Sequence, residues 1–209
     1  MNRTLSIFLK VYATVFAISW IALFSVEKGE LVLSINRSRT PFFDTFFTYW
    51  TYFGDGWLLL PVFMVSLLWS YRLAFQCLII AVMQSITSYT LKHLIFKGYP
   101  RPKIYFADKV DLDFIEGVRV NSYHSFPSGH TMTAFSIAAF CCLFFSSRQW
   151  VAFPLLIIAI LAGLSRIYLL QHFYVDVVYG SLSGVLVTTI VLLATRKLFA
   201  LEKWNKGLL

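Results

Sequence analysis

Six apolar stretches recur along the chain: Leu5–Val26, Trp57–Trp69, Leu73–Phe96, Phe126–Phe145, Trp150–Leu170 and Phe173–Ala194. Most are close to the roughly 20 residues an α-helix needs to cross a bilayer. In lipid, every backbone N–H and C=O must be satisfied within the protein, so such runs fold as helices. The expected fold is therefore all-α, a polytopic membrane protein with a six-transmembrane-helix bundle forming one domain over residues 1–209. The first stretch could be a signal peptide. It ends in SVEKGE, without a small-residue cleavage pattern, and so reads as an uncleaved anchor. The second is short, with tryptophans at both ends. Between spans one and two, Pro41–Asp44 and the rings of Phe46, Phe47, Tyr49, Trp50, Tyr52 and Phe53 predict an interfacial helix, since aromatic side chains favour headgroup depth.

Only 13% of residues are charged and 58% are hydrophobic, a balance that excludes an ordinary soluble domain. The net charge of +8 is not gathered on one soluble face, which argues against nucleic acid and for anionic headgroups or phosphate as partners. Cys77, Cys141 and Cys142 fall inside apolar runs with neither metal-ligand nor disulfide spacing, and read as packing residues. Gly180 and Gly184 are spaced for close helix contact.

Six crossings put both termini on one side, with Arg3, Lys10, Arg72, Arg148, Arg196, Lys197, Lys203 and Lys206 and a single acid, Glu202. The positive-inside rule makes that side cytoplasmic. The other side collects Lys92, Arg101, Ser128, His130, Arg166 and His172 at the ends of spans three and five and the starts of spans four and six. Residues 103–126 form the longest polar connection, and VDLDFI and VRV around Glu116-Gly117 predict a hairpin lid over this region.

Within SRIYLLQHFYVD (Ser165–Asp176), His172 and Asp176 are four apart and share one face of a helix. A carboxylate there fixes the imidazole tautomer and leaves the second nitrogen free to attack. The plain alternative is an ion pair at a polar helix end. Ser128 is placed to cap a helix whose N-terminus attracts anions, with Gly129 allowing close approach; an ordinary cap is the competing reading. Taken together, three cations, two imidazoles and a helix N-terminus suit a phosphate. Ionisable groups at membrane depth are costly and functional.

Arg101-Pro102, PSGH at 127–130, and Ser165-Arg166 with His172 and Asp176 resemble the signature motifs of the type 2 phosphatidic acid phosphatase family. Its members include integral-membrane lipid phosphatases, soluble acid phosphatases and vanadium haloperoxidases. The resemblance implies that His172 attacks phosphorus to form a phosphohistidine, that Asp176 orients it, and that His130 is the acid and then the base. It further implies that Lys92, Arg101, Ser128, Gly129 and Arg166 bind the phosphate oxygens, with no metal or other cofactor. Eight residues separate Lys92 from Arg101, more than the family's usual spacing, and Lys97 competes for the role. The expected substrate is a lipid phosphate such as undecaprenyl pyrophosphate, phosphatidylglycerol phosphate or phosphatidic acid, with lipid A an alternative. The expected location is a bacterial inner membrane with the site on the outer side. Halide oxidation and a non-catalytic lipid-phosphate binder or transporter are the other readings.

Overall fold

A computed structural model describes residues 2–198 and 202–208. Among these residues every regular element is helical. The long elements are α1 (Arg3–Ala22), α5 (Tyr71–Tyr89, continued by a π-helical turn to Ile95), α8 (Ala152–Tyr168) and α9 (Tyr174–Ala194). Each is long and apolar enough to cross a membrane, α8 when taken with the 3₁₀ turn before it from Gln149. Shorter elements are α2 (Glu30–Arg37), α3 (Pro41–Trp50), α4 (Leu59–Trp69), α6 (Pro102–Tyr105) and α7 (Gly129–Cys141). With 3₁₀ turns, α3 and α4 form the pair Pro41–Gly54 and Gly56–Trp69, which meets at 53° and is long enough for one further span.

The aromatic segment expected to lie apart at the interface is the first half of this bent pair. Thr40 caps α3, accepting from Phe43 N at 3.3 Å, and Pro41 supplies the fixed φ of the first turn. Phe47 stacks at 4.6 Å on Tyr168 of α8, and Trp50 Nε1 donates to Ile158 O. The pair breaks at Asp55, which caps the next turn through Trp57 N. Between α1 and α3, the short helix α2 buries Val32 and keeps Glu30 and Arg37 exposed.

α7 is at the centre. One core joins Phe8 and Tyr12 of α1 to Phe135 and Ala139 of α7 and Leu156 and Ala159 of α8. Another joins Leu73, Cys77 and Ile80 of α5 to Phe140 and Val191. Gly180 and Gly184 do bring α7 and α9 together. A Cβ on Gly180 would sit 2.6 Å from Ser128 O, and one on Gly184 would collide with Met132 O. Ser136 Oγ donates to Gly184 O across the same seam. Outward faces carry exposed apolar residues such as Ile18, Met64, Leu78, Ile86, Ile157 and Ile190, as expected where lipid is the solvent.

The hairpin lid does not form. Residues 107–126 contain a turn, Val118 N to Ile115 O, but no strand ladder follows it. The alternation there is too short to specify pairing. The segment is instead pinned by side chains. Asn36 and Asp113 exchange two bonds, Arg39 pairs with Asp44 and Asp113, and Gln171 Nε2 donates to Arg119 O.

The two described termini lie at the same end of the bundle, where Asn2, Ser70, Ser146 and Asn205 share a cavity. Of the basic tail, the side chain of Lys203 falls outside the described residues.

Candidate active site

At the opposite end of the bundle, the turn from α8 to α9 holds His172. Arg166 O accepts both Gln171 N at 2.9 Å and His172 N at 3.1 Å, which closes the turn. Leu170 is held at φ 56°, a left-handed conformation that costs a branched residue ~1–2 kcal/mol and persists because the turn is buried. His172 therefore precedes α9, and it does not share a helical face with Asp176 as the spacing suggested. The contact forms through the helix start. Asp176 is the third residue of α9, and its Oδ2 accepts from Phe173 N at 2.9 Å and from Ser125 Oγ at 2.5 Å. His172 Nδ1 lies 3.4 Å from that same Oδ2 and 3.4 Å from Ser125 Oγ. These are long contacts, as catalytic hydrogen bonds often are before substrate arrives. They engage Nδ1 and leave Nε2 without a hydrogen-bond partner among the described residues.

His172 is 1% exposed. Burial first, then the charges of Arg101, Arg166 and Lys92, pull its pKa well below the ordinary 6.5, so the ring is neutral at neutral pH. Arg101, Arg166 and Lys92 are thus close enough for their charges to act on the ring. Arg101 is buried in the turn between Pro100 and Pro102. Its Nε donates to Tyr123 O, and its Nη1 to the Gln171 carbonyl and side-chain oxygens at 3.0 and 2.9 Å. Those bonds leave Nη2 uncommitted. Arg166 Nη1 donates to Thr51 Oγ1 at 2.6 Å, and its Nε is buried with no partner among the described residues.

α7 begins where the sequence placed it. After a cis Phe126–Pro127 bond, Ser128 accepts from Thr131 N and Thr131 Oγ1, while its backbone N–H donates to Asp176 O at 2.9 Å. The cap and His172's carboxylate partner are thus joined directly. Lys92 lies on the π turn ending α5, with its Nζ 3.4 Å from where a Cβ on Gly129 would be. Such turns recur at functional sites because they rotate a side chain out of helical register. Lys97 is exposed on the following turn.

A cavity of about 370 Å³ opens beside these groups, lined by Lys92, Gly129 and His130 and descending along α5 past Ser88, Ser85 and Gln84. His172, Ser128, Arg101 and Arg166 are not among the residues that line it. Gly54, at the break of the bent pair, packs on His130: a Cβ there would be 2.6 Å from its carbonyl oxygen. His93 and His124 stack at 4.3 Å near the mouth, and His124 Nδ1 is 3.1 Å from Lys92 O. Sequence reasoning missed Thr51, Ser125 and Gln171. Nothing marks them, as Ser, Thr and Gln occur throughout the chain. Among the described residues, no group of three or more His, Cys, Asp or Glu is placed to hold a metal ion.

The PAP2 superfamily model matches residues 72–200, which carry every one of these motif positions. The chain belongs to the PAP2 superfamily. Two solved structures resemble this PAP2 protein along most of its length. One is the crystal structure of Aquifex aeolicus LpxE, with 30% identity and a TM-score of 0.67, covering 79% of this chain and 94% of that one. The other is a transmembrane PAP2 type phosphatidylglycerolphosphate phosphatase from Bacillus subtilis, with 27% identity and a TM-score of 0.65, covering 97% and 100%. No curated protein matches the chain. Apolar helices of spanning length together with these neighbours make the PAP2 protein an integral membrane protein, and phosphatase chemistry is the activity its site has to explain.

Proposed function

We propose that this protein is a metal-independent lipid phosphate phosphatase working through a phosphohistidine. The observation that carries the reading is the gathering of Lys92, Arg101 and Arg166 with the capped start of α7 near two imidazoles, His130 and His172. His172 Nε2 attacks phosphorus while the bond to the lipid oxygen breaks and His130 delivers a proton to that oxygen. Asp176 and Ser125 hold Nδ1 and stabilise the imidazolium-like ring that results. His130 then takes a proton from water, the water oxygen attacks phosphorus, the N–P bond breaks and inorganic phosphate leaves. Lys92, Arg101, Ser128, the Gly129 backbone and Arg166 bind the non-bridging oxygens. They supply the positive charge a metal would otherwise bring.

The substrate is a phosphomonoester or pyrophosphate of a lipid, of the type of phosphatidylglycerol phosphate, phosphatidic acid or undecaprenyl pyrophosphate, with lipid A phosphate as the alternative. The phosphatidylglycerolphosphate phosphatase neighbour over the whole chain favours a glycerophospholipid. The topology we infer has six crossings: the four long helices, the bent α3–α4 pair and α7, with α2 at the interface. Termini are cytoplasmic and the site faces outward from a bacterial inner membrane.

The decisive experiment is phosphate release from these lipids in detergent with EDTA present. His172→Ala should lose nearly all turnover while retaining the parental fold, and EDTA should leave the parent unaffected. Parental turnover by His172→Ala removes the nucleophile assignment. Binding without release by the parent makes the protein a lipid-phosphate binder.

A further inference from the structure

The end of the bundle away from the histidines contains a second cavity, of about 410 Å³. Arg72, on the first turn of α5, and Arg196, just past α9, both line it, and no acid does so among the described residues. α5 separates Arg72 from Lys92 by 20 residues, about 30 Å of helix, so this is not an extension of the catalytic pocket.

The neighbouring polar groups are already engaged. Gln76 Nε2 donates to Thr195 Oγ1 at 2.9 Å, Ser70 Oγ to Trp204 O at 3.0 Å, and Asn2 Nδ2 to Cys142 O at 2.8 Å. Arg72 Nε is buried and has no hydrogen-bond partner among the described residues. Ser70 precedes α5 without capping it through its side chain, so the N–H groups of that first turn add positive potential. Arg72 is half-buried and Arg196 exposed, so the two guanidinium groups open to the cavity together, and a phosphate fits their planar donors. The rim supplies the other half of a lipid. Trp69 and Leu193 line the cavity and are exposed on the outward, apolar face.

We propose that this cavity binds the phosphate of an anionic phospholipid from the leaflet opposite the catalytic site. The proposal does not depend on the reaction assigned to the histidines.

Native mass spectrometry of the detergent-purified protein tests it, with dioleoyl phosphatidylserine as probe, dioleoyl phosphatidylcholine as the uncharged comparison and millimolar inorganic phosphate as competitor. A phosphodiester probe is not consumed by a monoesterase. The parent should retain phosphatidylserine over phosphatidylcholine. Arg72→Gln and Arg196→Gln should each weaken retention about tenfold, while phosphate release at the far site stays parental. Should either charge variant fail to fold, Thr189→Trp, which fills the cavity and keeps both arginines, must lower retention as well. Equal retention of the two lipids, or unchanged retention in the variants, overturns the proposal. Displacement by inorganic phosphate overturns the lipid assignment and makes the ligand free phosphate.

Discussion

Asp176 places all of its hydrogen bonding on one oxygen. Oδ2 receives Ser125 Oγ, Phe173 N and the long contact from His172, while Oδ1 is buried without a partner among the described residues. The carboxylate is therefore fixed by its own helix start and by a serine from a distant loop, and the imidazole aligns to it. Ser125→Ala should lower kcat about tenfold or more with KM near parental, since a hydrogen bond to a charged group contributes ~1.5–3 kcal/mol. Steady-state phosphate release measures this, and a change confined to KM would count against the positioning role. The pH profile follows from the same ring. Burial and three cations lower the pKa of His172, so its neutral form persists below the ordinary 6.5 and is lost only as pH falls further. The acid limb of kcat/KM should lie below pH 6.5, and a limb above it would contradict the burial. Arg101, Arg166, His130 and His172 were legible because ionisable groups stand out in an apolar chain. Ser125, Thr51 and Gln171 were not, because the backbone brings them in from unrelated segments.

At the scale of elements, glycine contact fixes the distance between α7 and α9, and with it the join between Ser128 and Asp176. Gly180→Ala forces a Cβ against Ser128 O, where backbone must give way. We expect ~1–3 kcal/mol of destabilisation with reduced turnover. Gly56→Ala, which meets nothing within 4 Å, should be close to neutral. Thermal unfolding of both variants in detergent makes the comparison. The long helices could be read from apolar runs alone. The break at Asp55 and the π turn at Lys92 could not, since both depend on what packs beside them. Gly54 stops against His130 O, and Lys92 turns towards Gly129. Likewise, two apolar fragments in 103–126 looked like strands until the side-chain anchors of Asn36, Arg39 and Gln171 were visible.

The whole molecule separates its charges by end. Arg72 and Arg196 lie near both described termini, and Lys92, Arg101 and Arg166 surround the histidines. Single cysteines at Ser146 and Ser122 should react with a membrane-impermeant maleimide from opposite sides of intact cells or spheroplasts. Labelling of both from one side would break the six-crossing topology. The cavity beside His130 also has a shape with kinetic meaning, for it runs along α5 from Lys92 to Gln84 and Ala81. On the proposed reaction, the cleaved alcohol stays dissolved in the bilayer while orthophosphate escapes to water. Turnover should then track the mole fraction of substrate among the surrounding amphiphiles, and inert detergent added at constant substrate concentration should slow it, as surface dilution does for enzymes that meet their substrates in two dimensions.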